Sequence, residues 1–110
     1  MEIKTDYHKR CAVVKVAGRI DSATAPHLQV ELTKIMDENI YNLVLHLSDV
    51  TFISSAGLRV LITTQKTVKK NRGDLALAMI PENILAALDL AGFTNLFNIF
   101  DDEVSAVGSF

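Results

Sequence analysis

The sequence predicts a single α/β domain over residues 1–110, built as a mixed β-sheet of four to five strands covered by about four helices. The chain has 110 residues, which suits one domain. Apolar runs of strand length alternate with stretches whose apolar residues recur at helical spacing. Apolar residues make up 49% and charged residues 22%, as in ordinary globular proteins. These observations indicate one core shared by a sheet and its helices.

The chain begins with two segments that predict a β-hairpin. The segment Glu2–Tyr7 alternates apolar or β-branched residues with charged ones, which is typical of an edge strand. Residues 8–10 are polar and predict a turn. Residues 11–17 are rich in β-branched side chains and predict the second strand, which ends within residues 18–22.

A first helix is predicted after this strand. Thr24 is a plausible N-cap, and Pro26 lies close to the first helical position, where its missing N–H has no cost. Asn39 is expected to end the helix. The apolar residues that share one face are Leu28, Leu32, Ile35 and Met36.

The middle of the chain predicts a buried strand, a loop and a second helix. Residues 43–47 are nearly all apolar, which suits a central strand covered on both faces. Residues 48–53 are expected to form a short loop, and the helix is expected to open near Ser55. Gly73 is expected to provide a left-handed C-cap. The predicted inner face of this helix comprises Leu58, Leu61, Ile62, Gln65 and Val68.

The last part of the chain predicts a third strand–helix unit and a short ending. Residues 75–80 read as a buried strand, and residues 81–90 read as a helix that stops at Gly92. Residues 97–100 predict a brief strand. Residues 101–103 are acidic and predict the start of a final helical turn, because carboxylates are favoured at the positive end of a helix.

Charge, cysteine content and hydropathy exclude several classes of function. A net charge of −2, from 11 basic and 13 acidic residues, argues against a nucleic-acid binder. The single Cys11 cannot form an internal disulfide, and no apolar run reaches the ~18–20 residues of a membrane span. We therefore expect a cytoplasmic protein without membrane insertion. No cofactor or metal is expected, since the scattered His8, His27 and His46 lack metal-ligand spacing.

Residues 45–58 contain the strongest functional signal. A buried strand leads through a loop to a helix N-terminus, and sites in α/β sheets gather at the carboxyl ends of strands. A helix N-terminus presents free N–H groups and partial positive charge. An anionic group on Ser55 would therefore lie in a favourable field. The alternative is that Ser54 or Ser55 is simply the N-cap of the helix.

Three segments of the chain resemble the STAS domain, which is named for sulfate transporters and anti-sigma factor antagonists. Residues 49–58, Asp-Val-Thr-Phe-Ile-Ser-Ser-Ala-Gly-Leu, resemble its signature. Residues 18–21 resemble the Gly-x-(Ile/Leu)-Asp turn before its first helix. Residues 88–93 and 96–100 resemble its C-terminal segment and the strand that follows. The resemblance covers essentially the whole chain and favours the anti-sigma factor antagonist type.

The resemblance implies a switch rather than an enzyme. In such proteins the dephosphorylated domain binds an anti-sigma factor that is a serine kinase, and the sigma factor is released. The kinase phosphorylates the serine at the start of the second helix, and a PP2C-type serine phosphatase removes the phosphate. By position that serine is Ser55, with Ser54 as a competing site. The implied site-adjacent and partner-binding residues are Asp21, Ser22, Thr24, Ser54, Ala56, Gly57, Leu58 and Arg59.

Within this set, three residues have individual roles. Asp21 matches the family aspartate in the loop beside the phosphorylation site, and Gly57 matches the glycine that lets the helix start close to a partner's backbone. Arg59 follows Ser55 by four residues, so it shares a helix face with Ser55 and can pair with a phosphate there.

The chain departs from the family pattern at two positions. Ser54 stands where the switch proteins usually have aspartate, and His46 stands where the central strand often has aspartate. These departures favour an alternative, a non-phosphorylated STAS scaffold or accessory subunit of a lipid-transport or stress-signalling complex. A third alternative, a small hydrolase using Ser55, lacks a base and an oxyanion set near that serine. His46 is either a pH-sensitive neighbour of the site or a satisfied structural residue. A monomer or a weak dimer is expected.

Overall fold

A five-stranded sheet runs through the molecule with its strands in chain order, and the computed structural model describes all residues 1–110. The first strand pairs antiparallel with the second, and the other neighbours pair in parallel. The strands are β1 (Glu2–Tyr7), β2 (Ala12–Ile20), β3 (Asn42–Ile53), β4 (Asp74–Ala78) and β5 (Asn98–Phe100). The helices are α1 (Ala25–Asp37), α2 (Ser55–Lys70), α3 (Glu82–Leu90) and α4 (Glu103–Gly108), with a 3₁₀ turn at Thr94–Leu96. The predicted fold class is confirmed.

The two faces of the sheet are covered unequally. From β2 onward, each new parallel strand joins the same edge of the sheet. Because crossovers between parallel strands are right-handed, α1, α2 and α3 all lie on one face of the sheet. That face holds a core of 21 buried residues. On the opposite face α4 covers a cluster of only 6 buried residues, centred on Val13, Val44 and Ala106. Part of this second face therefore stays open to solvent.

The prediction of a loop at residues 48–53 is wrong, because β3 continues as a strand to Ile53. Its partner β2 continues as far as Ile20, within the predicted ending at residues 18–22. The extra length pairs Ala17 with Asp49 and Ile20 with Ile53, across two register shifts. Ser48, Asp49 and Thr51 are exposed within this extension.

The second helix begins where expected, but its buried face and its ending differ from the prediction. Leu58 and Ile62 are half-buried, whereas Val60 and Thr64 are buried. The left-handed residue after the helix is Arg72, with φ 64°, and not Gly73. Gly73 is required for a different reason, since a Cβ there would collide with the carbonyl group of Tyr41.

Other boundaries shift slightly. The strand predicted for residues 75–80 ends at Ala78. Asn39 follows α1 in the left-handed region with φ 63°, and Gly92 follows α3 with φ 80°, as their predicted roles as terminators require. The final turn is a complete helix, α4, capped by the Asp102 side chain. No helix combines the length and apolar character needed to cross a membrane.

Candidate functional site

The junction of β3 and α2 separates the roles of the two adjacent serines. Ser54 has extended backbone angles, φ −92° and ψ 175°, and its Oγ accepts a hydrogen bond from the Gly57 N–H at 3.3 Å. Its carbonyl oxygen accepts the N–H of Leu58 at 2.9 Å. Ser54 is therefore the N-cap, and Ser55 is the first helical residue, exposed and without a capping role.

Gly57 allows the first turn of α2 to pack against the ends of two strands. A Cβ at this position would lie 2.7 Å from side-chain carbons of both Ile20 and Ile53. Gly57 itself is buried. Gly57 therefore faces the core of its own chain, and it sets the position of Ser55 above the sheet. The close approach of a partner's backbone to this helix start stays a prediction.

The loop after β2 is hydrogen-bonded to the start of α2. The Ser54 N–H donates to the Ile20 carbonyl oxygen at 2.8 Å, and Asp21 follows directly. Asp21 Oδ1 accepts the backbone N–H groups of Thr24 at 3.1 Å and of Ala23 at 3.0 Å. These bonds, the one from the Thr24 N–H first, lower the pKa of Asp21 below its ordinary value. The carboxylate is therefore ionised at neutral pH.

Thr24 occupies the N-cap position of α1, but its side chain does not cap the helix. Its hydroxyl donates to the carbonyl oxygen of Arg19 at 2.7 Å and accepts the Asp21 N–H at 2.9 Å. The threonine thus closes the loop between β2 and α1, which keeps the Asp21 carboxylate in place. The predicted capping role is replaced by this one.

Three other predicted residues line a shallow groove between α1 and α2. Ser22, Ala56 and Arg59 surround a volume of about 240 Å³. Arg59 is exposed on the same helix as Ser55, one turn further along. Leu58 is half-buried and packs against the main core. The structure therefore gathers the predicted residues around the beginning of α2, with Ser22, Ser55 and Arg59 on the accessible side.

Sequence reasoning did not single out Arg19 and Phe52, which stand opposite each other on β2 and β3. The Arg19 guanidinium carbon lies 4.2 Å from the centre of the Phe52 ring, and its Nε lies 3.7 Å from Asp21 Oδ2. Both residues belong to segments that carried the family resemblance. Their contact depends on the register between two strands, for which the sequence contains no signal.

His46 does not belong to this site. It lies seven residues before the end of β3, roughly 20 Å away at ~3.3 Å per strand residue. Its ring nitrogens contact Glu103 at 2.7 Å and Ser48 at 2.8 Å, so the expectation of a satisfied residue fits and that of a pH-sensitive neighbour of Ser55 does not. No group of three or more His, Cys, Asp or Glu side chains converges as metal ligands would.

Comparison with known proteins gives a consistent result. The sequence profile of the STAS domain matches residues 2–106. An anti-sigma-B factor antagonist of Bacillus subtilis is 34% identical over 86 residues, covering 78% of each chain. The crystal structure of an anti-sigma factor antagonist from Mycobacterium paratuberculosis superposes with a TM-score of 0.88 at 26% identity, covering 98% of this chain and 92% of the other.

A third similar structure is that of the anti-sigma factor antagonist SpoIIAA in its unphosphorylated form. Its TM-score is 0.86 at 11% identity, covering 98% of this chain and 95% of that one. The same Bacillus protein in its phosphorylated form gives 0.78, with 98% of each chain covered. At this identity the likeness concerns the fold alone.

Proposed function

The chain belongs to the STAS domain family, and we propose that it is an anti-sigma factor antagonist switched off by phosphorylation of Ser55. In this proposal the dephosphorylated protein binds an anti-sigma factor that is a serine kinase and thereby releases a sigma factor. A PP2C-type serine phosphatase restores binding. The protein acts in the cytoplasm as a regulator and not as an enzyme. The names of the relatives from Bacillus subtilis and Mycobacterium paratuberculosis support the proposal.

The observation that carries the proposal is that Ser54 caps α2, whereas the neighbouring Ser55 does not. Because the Ser54 hydroxyl caps α2, its phosphorylation would disturb the helix start. Ser55 is exposed and carries no structural hydrogen bond at the cap, so a kinase can modify it without unfolding the turn. Between the two serines, this difference favours Ser55 as the phosphorylated residue.

The surroundings of Ser55 suit a phosphate in the free protein. A phosphate adds about −1.5 to −2 charge at neutral pH. The N-terminus of the 16-residue α2 favours negative charge, and the exposed Arg59 lies one turn away without an ion-pair partner of its own. The phosphorylated form is therefore expected to remain folded.

In a complex the same phosphate would oppose binding. We propose that the partner covers the start of α2 together with the loop of Asp21 and Ser22. There the phosphate would have to lose water beside the ionised Asp21, which is unfavourable unless the partner supplies a cation. Changing the bound fraction from 99:1 to 1:99 requires about 5.5 kcal/mol of differential binding. The free-energy cost of desolvating one phosphate is comparable to this difference.

The test is phosphorylation by an anti-sigma factor kinase encoded in the same genome. The protein is incubated with that kinase and ATP, and the modified residue is located by mass spectrometry. Phosphate on Ser55 is expected. The affinity of the kinase is then measured for the Ser55→Asp and Ser55→Ala variants. Ser55→Ala should bind as well as the unmodified protein, and Ser55→Asp should bind at least tenfold more weakly.

The Ser54→Ala variant is the matched control, because it removes the neighbouring hydroxyl and leaves Ser55 in place. It should still be phosphorylated at Ser55. In the wild-type protein, phosphate on Ser54 in place of Ser55 would contradict the assignment. Equal affinities of the Ser55→Asp and Ser55→Ala variants would overturn the switch and favour a scaffold that binds without phosphorylation, which the departures at Ser54 and His46 left open.

A further inference from the structure

A second serine, far from the start of α2, is hydrogen-bonded to a histidine that is itself held by a carboxylate. Ser48 Oγ lies 2.8 Å from His46 Nε2. His46 Nδ1 lies 2.7 Å from Glu103 Oε1. A nucleophile within hydrogen-bond reach of a base, with the base oriented by a third group, is the arrangement that activates hydroxyl groups in acyl transfer.

The Glu103 carboxylate determines which ring nitrogen of His46 carries the proton. An ionised carboxylate can only accept hydrogen bonds, so Nδ1 must donate to Glu103. In the neutral ring Nε2 is then unprotonated and accepts the hydroxyl proton of Ser48. The imidazole is thus set as a general base toward the Ser48 hydroxyl.

The fold brings these three residues together on the open part of the second sheet face. His46 and Ser48 lie two residues apart on β3, so their side chains fall on the same side of the sheet. Glu103 is the first residue of α4, the helix that covers only part of this face. The His46 side chain is 16% exposed, whereas Ser48 is an exposed residue. The base is therefore sheltered and the nucleophile accessible.

A groove beside Ser48 offers room for a small molecule. Its volume is about 830 Å³, and Lys4, Lys15, His46, Ser48 and Met79 are among its lining residues. Lys15 stands opposite His46 on β2, and its Nζ lies 3.9 Å from Glu103 Oε1. A cation is therefore present next to the hydrogen-bonded set, and it lines the same groove.

We propose that Ser48 is an activated nucleophile that accepts an acyl group from an activated carboxylic ester. Ser48 Oγ attacks the carbonyl carbon of the ester while its hydroxyl proton passes to His46 Nε2. The bond from the carbonyl carbon to the leaving oxygen breaks, and His46 returns the proton to the leaving group. The product is an ester on Ser48, with no oxidation or reduction. Lys15 is the cation that would face the negative charge developing on the carbonyl oxygen.

Reaction with 4-nitrophenyl acetate tests the proposal. The full-length protein is incubated with the ester, the release of nitrophenolate is followed by absorbance, and the acetylated residue is located by peptide mass spectrometry. Acetyl on Ser48 is expected. General-base assistance contributes about 10²–10⁴-fold, so His46→Gln should slow acetylation of Ser48 by at least tenfold. Acetyl groups on lysines only, or an unchanged rate in Ser48→Ala, would overturn the proposal.

Glu103 is a positioning residue, and its role is tested separately. Glu103→Gln keeps a hydrogen-bonding side chain of the same size but removes the charge that orients His46, so the acetylation rate should fall. Ser105→Ala is the control on the same helix: it removes a hydroxyl group that does not line the groove, and it should leave the rate unchanged. A fluorophosphonate, which reacts with activated serines, should label the wild type at Ser48 and fail to label the His46→Gln variant. Equal labelling of both proteins would contradict the proposal.

These measurements do not depend on the kinase experiment at Ser55. Phosphorylation can fail while Ser48 is acylated, and the reverse outcome is equally distinguishable. Thermal unfolding of each variant shows whether a lost rate reflects a lost fold.

Discussion

The backbone N–H of Ser54 donates a 2.8 Å hydrogen bond to the carbonyl oxygen of Ile20. This bond joins the first residue after β3 to the last residue of β2. The start of α2 and the loop of Asp21 are therefore positioned by the same pair of strand ends. A change at either segment is therefore expected to affect the other.

Replacing Ser54 should lower stability, whereas replacing Ser55 should not. Ser54→Ala removes the side chain that caps α2, and a lost N-cap costs about 1 kcal/mol. Ser55→Ala alters an exposed position and should stay within about 0.5 kcal/mol of the wild type. Urea unfolding of both variants measures the difference. A larger loss for Ser55→Ala would mean that the two serines exchange roles in solution.

Adding a methyl group at Gly57 should destabilise the protein. The new Cβ would meet Ile20 and Ile53 side-chain carbons at 2.7 Å, and overpacking costs about 1–3 kcal/mol. The better helix propensity of alanine returns at most about 1 kcal/mol. We expect a net loss in the free energy of unfolding.

Gly108→Ala is the control for this prediction, because nothing lies within 4 Å of the added Cβ. This variant lies at the end of α4 and should be neutral or slightly stabilising. If Gly57→Ala proved as stable as Gly108→Ala, the packing of α2 against the strand ends would be looser than the structure shows.

Gln65 is a buried amide whose removal should be costly. It is 4% exposed, its Nε2 donates to the Leu96 carbonyl oxygen at 2.7 Å, and its Oε1 accepts the Leu75 N–H at 2.9 Å. Gln65→Met leaves the buried Leu75 N–H unpaired, at about 1–3 kcal/mol, and removes an ordinary hydrogen bond to the part-buried Leu96 carbonyl, worth about 0.5–1.5 kcal/mol. Denaturant unfolding should show a loss of roughly 2–4 kcal/mol. The exposed Gln29→Met is the comparison and should change little.

Asp21 should make the free energy of unfolding depend on pH in the acidic range. Its pKa is lower in the folded protein than the ordinary value of 3.8, chiefly because the Thr24 N–H bonds its carboxylate. The folded state therefore disfavours the proton, so this stabilisation is complete well above pH 3.8 and is lost as the pH falls through the lowered folded value. Asp21→Asn keeps an oxygen acceptor for the loop but does not titrate.

The measurement compares the free energy of unfolding at pH 7 and pH 3 for the wild type and Asp21→Asn. The difference between the two pH values should be smaller in the variant. It should not vanish, because Asp102, the cap of α4, also has a lowered pKa owing to the Ser105 N–H. An acid dependence that is unchanged by Asp21→Asn would contradict the assignment.

Much of the fold follows from local patterns in the chain. The alternation of apolar runs predicted the order of strands and helices, and Asn39 and Gly92 end helices as their residue types suggest. These features depend on backbone preferences and on periodicity within a few residues. Residues 48–53 were predicted as a loop although residues 50–53 are β-branched or aromatic and favour a strand, and their pairing with β2 crosses register shifts that local patterns do not reveal.

The sequence by itself determined the fold class, the family and the placing of a serine pair at the start of the second helix. Only the tertiary structure decided that Ser54 is the cap, that Gly57 faces its own core and that Gln65 joins α2 to Leu75 and Leu96. It also brought Glu103 to His46, residues 57 positions apart. The physical reason is that such contacts depend on strand register, bulges and helix placement, which arise when distant segments pack together and leave no local trace in the chain.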